Sequence, residues 1–267
     1  MVFDPRNPSG ENRNINSPVT PPPAAVVVEN TVSTEPPVEQ PIVKPSGEDW
    51  VKRIKNVQLV KKFAQFSEEN IFDYVFKNIG TDTKFLVDFG ANGLNQGMSN
   101  SKYLLDSGWK GLLMDGDNSG NEMIKKEFIT AENICELFAK YEVPFIFDFL
   151  SIDIDGNDLH ILKKILDGGY FPRVIYNEFN GTLPVDESLT IKYNPKHTWG
   201  EDNYYGASFL AFKKVLAGYG YTLVHQVATT NMLFINEKDV PQADYGITYQ
   251  PQQYHKHNAT GIWEEVK

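Results

Sequence analysis

The sequence predicts an α/β fold, built on a doubly wound, mostly parallel sheet of seven strands with a C-terminal antiparallel hairpin. Short apolar runs alternate with segments of helical spacing from residue 50 onward. Glycines follow several of the helical segments, as at Gly80, Gly168 and Gly218, which is typical of helix ends. The last two apolar runs stand close enough to form a hairpin. Strands joined by crossover helices form a parallel sheet that is covered on both faces.

Seven apolar runs are interpreted as strands. They cover residues 85–89, 111–115, 128–129, 145–154, 173–178, 221–225 and 231–235. Helical spacing predicts helices over residues 50–66, 67–80, 97–107, 131–141, 158–166 and about 203–216. Ser67 is the expected N-cap of the second helix. A long polar loop is expected to lead from the fifth strand to the last helix.

Residues 1–47 differ in composition from the rest of the chain. Prolines are frequent there, and Phe3 is the only aromatic residue. Such a segment cannot bury enough apolar surface to offset its ordering entropy, so we expect a disordered linker. Such a tail suggests a domain that is tethered to another one or cut from a longer polypeptide, and a ligand for a proline-binding module is an alternative. The folded domain is expected over residues 48–240, with a helical lead-in at 48–80. Residues 241–267 are left as a C-terminal extension.

Charge and cysteine content exclude several classes of protein. A formal net charge of −10 argues against a nucleic-acid partner, because neutralising phosphates needs clustered Lys and Arg. No run approaches the roughly 20 apolar residues of a membrane span, and the first residues lack the apolar segment of a signal peptide. Cys135 is the only cysteine and is expected in the core. A reducing, cytoplasmic location fits a chain that cannot form an intrachain disulfide.

The first chemical signal is the turn that follows the strand at 85–89. Asp88, Gly90 and Gly93 form an acidic-x-Gly-x-x-Gly pattern, with Asn92 inside it. A glycine-rich turn between a strand and a helix lets a ligand approach the backbone closely and offers free N–H groups. The spacing differs from the GxGxxG of dinucleotide-binding proteins. An ordinary tight turn is the alternative interpretation.

The second signal is an acidic residue at the end of the next strand. Asp115 closes the run at 111–115, and Asp117 is its alternative. A carboxylate suits the two hydroxyls of a ribose because it accepts hydrogen bonds and donates none. Open α/β sheets bind ligands at the carboxyl ends of their strands, where both signals are expected to lie.

The third signal is a set of carboxylates after the fourth strand. Asp153, Asp155 and Asp158 stand within residues 151–158, and Glu178 and Asn180 follow the fifth strand. Three carboxylates at one strand end repel one another unless a cation or hydrogen-bond donors balance them. Asp155, Glu178 and Asn180 would offer oxygen ligands to Mg²⁺ or a similar cation. The alternative is that Asp155 and Asp158 only cap the following helix, and Asp158 is an expected cap in either case.

Taken together, these three signals make residues 82–236 resemble class I S-adenosylmethionine (SAM) methyltransferases, which have a Rossmann-like fold. The pattern from Asp88 to Gly93 resembles their motif I, and the Asp155–Gly156 pair resembles the metal-binding Asp-Gly of macrocin-type sugar O-methyltransferases. FkbM-like enzymes are similar as well. The resemblance implies a SAM site and methylation of a sugar or glycan hydroxyl. The cofactor-binding residues it implies are Asp88, Gly90, Asn92, Gly93, Asp115 and Asp153. The macrocin type has paired aspartates after its fifth strand, whereas this chain has Glu178 and Asn180.

The resemblance also implies a mechanism. Methyl transfer from a sulfonium needs positioning and deprotonation of the acceptor hydroxyl. Asp155 and Glu178 are expected to hold a metal that lowers the pKa of that hydroxyl. His197, His160 and Asp153 are the candidate bases. His197 stands in the aromatic-bearing loop 193–205, an expected substrate cover whose Trp199, Tyr204 and Tyr205 are candidates to stack on a sugar ring.

Two other functions stay open at this point. One is a nucleotide-sugar or NAD-linked Rossmann enzyme, which the missing GxGxxG disfavours. The other is a non-catalytic scaffold with a methyltransferase fold. A sugar acceptor depends on the resemblance alone, and phenolic or peptide acceptors remain alternatives.

Overall fold

The structure, a computed structural model, describes residues 50–91, 94, 98–117, 120–252 and 261–267. Its strands are β1 (Phe85–Phe89), β2 (Lys110–Asp115), β3 (Ile124–Lys126), β4 (Ile146–Ile152), β5 (Phe171–Glu178), β6 (Leu189–Ile191), β7 (Tyr221–Val227), β8 (Asn231–Asn236) and β9 (Trp263–Glu265). Its α-helices are α1 (Glu69–Ile79), α2 (Lys102–Asp106), α3 (Ile134–Lys140), α4 (Asp158–Asp167) and α5 (Phe209–Gly218). A 3₁₀ turn covers Ile54–Asn56.

The central sheet has seven strands in the order β3-β2-β1-β4-β5-β8-β7. The first five of these are parallel, while β8 runs antiparallel to both β5 and β7. The predicted fold class is therefore confirmed, including the hairpin. The strand order reverses between β1 and β4, and in doubly wound sheets ligands bind outside the carboxyl ends of the strands at this reversal.

Side chains from both faces of the sheet build two cores. In β1, Leu86 packs into the core beneath α1 and α2, whereas Val87 and Phe89 pack into the core beneath α3, α4 and α5. This alternation follows from the two-residue period of a strand. Because helices cover both faces, the strands read as continuous apolar runs in the sequence.

Several predicted boundaries are wrong. The third strand is Ile124–Lys126, and Phe128 lies after it with 52% of its surface exposed. Helix α2 begins only at Lys102, where the hydroxyl of Ser99 accepts the Lys102 N–H. Helix α5 begins after Ser208, whose hydroxyl accepts the Ala211 N–H as an N-cap.

The predicted helix over residues 50–66 is also wrong, because residues 57–66, here named the strap, follow an irregular path. Side chains from the start of α1 bind the strap's backbone. The Glu69 carboxylate accepts the N–H groups of Lys62 at 2.7 Å and Phe63 at 3.0 Å, and Glu68 accepts that of Phe66 at 2.7 Å. These bonds replace helical ones. Ser67 has φ 67° and is not the N-cap of α1, since Glu68 occupies that position without a side-chain cap bond.

The C-terminal residues pack onto the connection between β5 and α5. Strand β9 pairs with β6 in a small antiparallel sheet that the sequence did not predict. The Tyr249 hydroxyl donates to the carbonyls of Gly181 at 2.9 Å and Leu183 at 2.8 Å. The predicted linker over residues 1–47 lies outside the described residues. Among the helices that the structure describes, none is long and apolar enough to cross a membrane.

Arg173 joins several segments of the chain at the amino ends of the parallel strands. Its guanidinium is buried, donates to Asp148 at 2.8 Å and makes a two-pronged ion pair with Asp239. It also donates to the Ile79 carbonyl at the end of α1. Burial alone would lower the pKa of Arg173, but these carboxylates raise it and keep the charge paired inside the protein.

Candidate active site

A cavity of about 650 Å³ opens at the carboxyl ends of β1, β2 and β4. Its position matches the reversal of strand order, and its volume lies in the range of small-molecule sites. The cavity lining draws on seven separate stretches of the chain. It includes Gln65, Gly90, Met98, Asp115, Gly116, Asp117, Glu127, Phe128, Ile129, Asp153, Ile154, Asp155, Asn157, His197, Thr198 and Trp199.

Gly90 brings the β1 turn directly against the backbone that follows β4. It has φ +72°, and a Cβ built on it would lie 1.8 Å from the carbonyl oxygen of Asp153. Only glycine fits this conformation and this contact. The predicted ligand-binding turn thus lies at the cavity as far as Gly90, while Asn92 and Gly93 lie outside the described residues.

Asp88 lies behind the turn and is not among the described cavity-lining residues. The residue is 3% exposed, and its carboxylate hydrogen-bonds to Ser101 and Ser151. Burial raises its pKa to about 6, although both serines act against the rise. Ser151 also accepts a hydrogen bond from the Asn100 side chain at 3.1 Å. The geometry therefore assigns Asp88 to bracing β1, β4 and α2 behind the turn.

Asp115, the predicted ribose ligand, is the last residue of β2 and lines the cavity. Its carboxylate accepts the N–H of Asp117 at 2.7 Å, which fixes the turn after the strand. Asp117 lines the cavity too. Phe128 and Ile129 lie at the same cavity and offer apolar surface beside these carboxylates.

Asp153, Asp155 and Glu178 form a cluster whose carboxylate oxygens lie within 4.8 Å of one another. The sheet explains their meeting, because β4 and β5 are parallel neighbours with Ile152 opposite Asn177. Asp155 adopts φ +53°, an uncommon left-handed conformation for a residue other than glycine. Such backbone strain is found where a side chain must be aimed at a site.

Burial and the charges of neighbouring carboxylates raise the pKa of each carboxyl in the cluster. The pKa values of Asp153 and Glu178 stand well above their usual range, first because both groups are buried and then because of the neighbouring aspartate charges. A hydrogen bond joins these two side chains. Burial and the charge of Asp158 raise the pKa of Asp155 to about 6. A bound cation or a retained proton would relieve this repulsion.

Asn180, a predicted metal ligand, is fully engaged in holding the loop after β5. Its amide nitrogen donates to the carbonyls of Asn203 and Tyr205, each at 2.9 Å, and its oxygen accepts the N–H of Thr182 at 3.1 Å. The third oxygen donor of the cluster is instead Asp153.

Asp158 holds the loop that carries Asp155. It is the first residue of α4, and its carboxylate accepts the N–H groups of Ile154 at 3.0 Å and Gly156 at 2.8 Å. The predicted helix cap at Asp158 is wrong, because Asn157 occupies the cap position and makes no side-chain cap bond.

Of the predicted bases, His197 and Asp153 line the cavity and His160 does not. The His197 ring packs on Gly156, where an added Cβ would meet its Cδ2 at 2.6 Å. Its Nε2 is buried without a hydrogen-bond partner among the described residues. His160 instead lies 2.8 Å from the carbonyl of Ile191 and anchors β6.

Trp199 is the one aromatic residue of the 193–205 loop that lines the cavity within the described part of the chain. It is 39% exposed, and its indole N–H donates to the Asp202 carbonyl at 2.7 Å. Tyr205 is 3% exposed and donates to the Gln252 side chain. Tyr204 donates to the carbonyl of Ile262. Both tyrosines are therefore held away from a stacking role.

Gln65 is a cavity residue that the sequence did not single out. It reaches the cavity because the strap runs beside Met98, where the N–H of Ser99 donates to the Phe63 carbonyl at 3.1 Å. No short sequence motif predicts that Gln65 lies at the cavity. The strap has helical spacing in the sequence, and this spacing does not reveal the hydrogen bonds from Glu68 and Glu69 that hold it in an irregular path.

No protein-family model and no curated protein matches this chain.

Proposed function

We propose that this chain is a SAM-dependent O-methyltransferase whose acceptor is a sugar or glycan hydroxyl. The observation that carries the proposal is the meeting, at one cavity, of three chemically distinct elements. These are the turn at Gly90, the carboxylate of Asp115 at the end of the adjacent strand, and the carboxylate cluster that contains Asp153 and Asp155.

The described residues fit SAM. Asp115 offers acceptor oxygens to a ribose diol, Gly90 leaves its backbone accessible, and Phe128 and Ile129 offer apolar surface to a flat ring. When bound, SAM supplies an electrophilic methyl group on a sulfonium. In-line transfer needs the acceptor oxygen beside that methyl, so the walls of the cavity act chiefly by positioning.

Proton transfer is assigned to the part of the cavity wall that His197 and Asp153 form. His197 and Asp153 are the two candidate acceptors of the hydroxyl proton, since both line the cavity. The Nε2 of His197 makes no hydrogen bond to any residue that the structure describes, so no other group in that part of the chain competes for it. Trp199 offers an exposed aromatic face to the acceptor.

The carboxylate cluster fits a hard divalent cation such as Mg²⁺. Asp153, Asp155 and Glu178 would hold it, because they supply three oxygen donors close together and their repulsion favours a positive charge. Such a cation would lower the pKa of a bound hydroxyl and orient it.

The same charges disfavour a nucleotide-sugar or NAD-linked enzyme. Five carboxylate side chains line the cavity, and no Lys or Arg does among the residues that the structure describes. A pyrophosphate would meet repulsion there, in place of the N–H groups and cations that such a group needs.

We propose as well that the protein works in a reducing compartment. Cys135 is partly buried beside the core, its thiol lies 3.5 Å from the Lys164 carbonyl, and burial raises its pKa. Such a thiol is unreactive. The single cysteine forms no intrachain disulfide.

Transfer of a labelled methyl group from SAM to a panel of neutral sugars, with and without Mg²⁺, tests the proposal. We expect turnover by the wild type and by Asp186→Asn, an exposed control, and none by Asp155→Asn. Binding of NAD or a nucleotide sugar in place of SAM would contradict the proposal. SAM binding without transfer to any acceptor would favour the scaffold alternative.

A further inference from the structure

A second cavity, of about 240 Å³, lies at the opposite end of the sheet from β2 and β3, against the edge strand β7. Its walls come from three places in the chain. They are the 3₁₀ turn region with Lys52 and Lys55, strand β7 with His225, and the segment 245–250. No step of the proposed methyl transfer uses this cavity.

A β-bulge turns His225 toward this cavity. The register of β7 against β8 shifts between Leu223 and His225. Before the shift, Tyr221 and Leu223 pack into the core beneath α3, α4 and α5; after it, Val227 packs into the opposite core. Strict alternation would have kept Val227 with Tyr221, so the bulge changes the face of every later side chain. Bulges on edge strands often aim a side chain at a site.

The segment 245–250 is fixed across from β7 by a side chain that pairs with its backbone. The Gln226 amide donates to the Gln250 carbonyl at 2.8 Å and accepts the Gln250 N–H at 3.0 Å. The gap between β7 and this segment is therefore a preformed cavity. Thr248 lines it as a further hydroxyl donor.

The charge of the second cavity is opposite to that of the first. No Asp or Glu lines it among the described residues, although the chain carries 35 acidic residues against 25 basic ones. Lys55 makes no ion pair with any residue that the structure describes. Burial lowers the pKa of His225 to about 4, and no carboxylate of the described residues opposes that effect. At neutral pH its uncharged ring keeps one N–H donor.

We propose that this second cavity binds a phosphate group, with Lys55, His225 and Thr248 as its donors. Its volume admits a phosphate or a small phosphate ester but not a nucleotide. The ligand is either free phosphate or the phosphate of a larger molecule, and both share this chemistry. The site does not depend on the proposed methyl transfer.

Calorimetry with inorganic phosphate and with glycerol phosphate, at constant ionic strength, tests the site on the full chain. We expect dissociation constants of about 1 mM or below, weakened at least tenfold in Lys55→Gln. Lys213→Gln changes an exposed lysine of α5 outside the cavity and should bind like the wild type. Tighter binding of glycerol phosphate would identify an ester as the ligand, and equal binding would identify free phosphate.

The imidazole resonances of His225 give an independent readout. A bound anion favours the charged ring, so saturating phosphate should move the titration of His225 upward from about 4. The proposal is overturned if this titration stays in place and no heat of binding appears. Binding that is equal in Lys55→Gln and Lys213→Gln would overturn it as well.

Discussion

The backbone of Gly90 lies against the carbonyl of Asp153, so closely that a Cβ at Gly90 would stand 1.8 Å from that oxygen. This contact joins the turn after β1 to the loop after β4 across the reversal of strand order. Both residues line the large cavity. This backbone contact therefore fixes the turn at Gly90, which is proposed to hold the cofactor, against the loop at Asp153, which is proposed to face the acceptor.

Replacing Gly90 with alanine tests this contact. We expect Gly90→Ala to lower the free energy of unfolding by about 3 kcal/mol, since the left-handed backbone and the clash each cost ~1–3 kcal/mol. Urea denaturation measures the change. Gly218→Ala is the matched control, because a Cβ there meets nothing within 4 Å. Equal stability of the two variants would show that the close contact is absent.

Mg²⁺ should stabilise the protein through the carboxylate cluster. At a concentration 100-fold above its dissociation constant, a bound ion adds about 2.7 kcal/mol to the free energy of unfolding. A thermal melt with and without Mg²⁺ measures this, and we expect no Mg²⁺ effect in Asp155→Asn. Without metal, Asp155→Asn should melt above the wild type, because it removes a repelling charge. A Mg²⁺ effect of equal size in that variant would rule out the site.

The raised pKa of Asp88 should make the free energy of unfolding depend on pH. Its folded pKa of about 6 lies above the usual value of 3.8, so the folded state binds more protons than the unfolded state between these values. The contribution of Asp88 to the free energy of unfolding is therefore complete below about pH 4 and is lost as the pH rises through about 6. The loss is about 3 kcal/mol. Urea denaturation between pH 4 and 7 should show a fall that is about 3 kcal/mol larger in the wild type than in Asp88→Asn, since the buried carboxyls of the cluster still contribute a fall in that variant. Parallel curves would contradict the assignment.

Glu69 should control the strap. Glu69→Ala removes the acceptor of the Lys62 and Phe63 N–H groups, and we expect these amides to exchange with solvent about tenfold faster, a loss of about 1.4 kcal/mol. Glu69→Gln keeps one acceptor oxygen and should restore much of the protection. Hydrogen exchange read by mass spectrometry resolves the strap. Glu136→Ala, at an exposed position of α3, controls for the loss of a carboxylate. Unchanged exchange in Glu69→Ala would show that other contacts hold the strap.

The fold could be predicted because its signals are local and repeated. The apolar runs of β1, β4 and β5, the amphipathic face of α3 and the closing hairpin each appear within a few consecutive residues. The short pairing of β6 with β9 could not be predicted, since it joins residues more than 70 positions apart. The strap was misjudged because Glu69 binds its backbone from the neighbouring helix.

The positions of the candidate site residues could be predicted more closely at strand ends than in loops. Asp115, Asp155 and Glu178 lie where the strand order requires. The bracing role of Asp88 could not be read from its motif, because Ser151 comes from another strand and is distant in sequence. Asn180 carries a possible metal-ligand oxygen, yet the loop after β5 already uses it.

Calorimetric titration with S-adenosylhomocysteine, with and without Mg²⁺, measures whether the large cavity binds the proposed cofactor. We expect micromolar binding by the wild type and by Asp186→Asn. Asp115→Asn should bind at least tenfold more weakly, since hydrogen bonds to a charged group contribute about 1.5–3 kcal/mol each. The absence of wild-type binding under both conditions, or unchanged binding by Asp115→Asn, would contradict the proposed cofactor site.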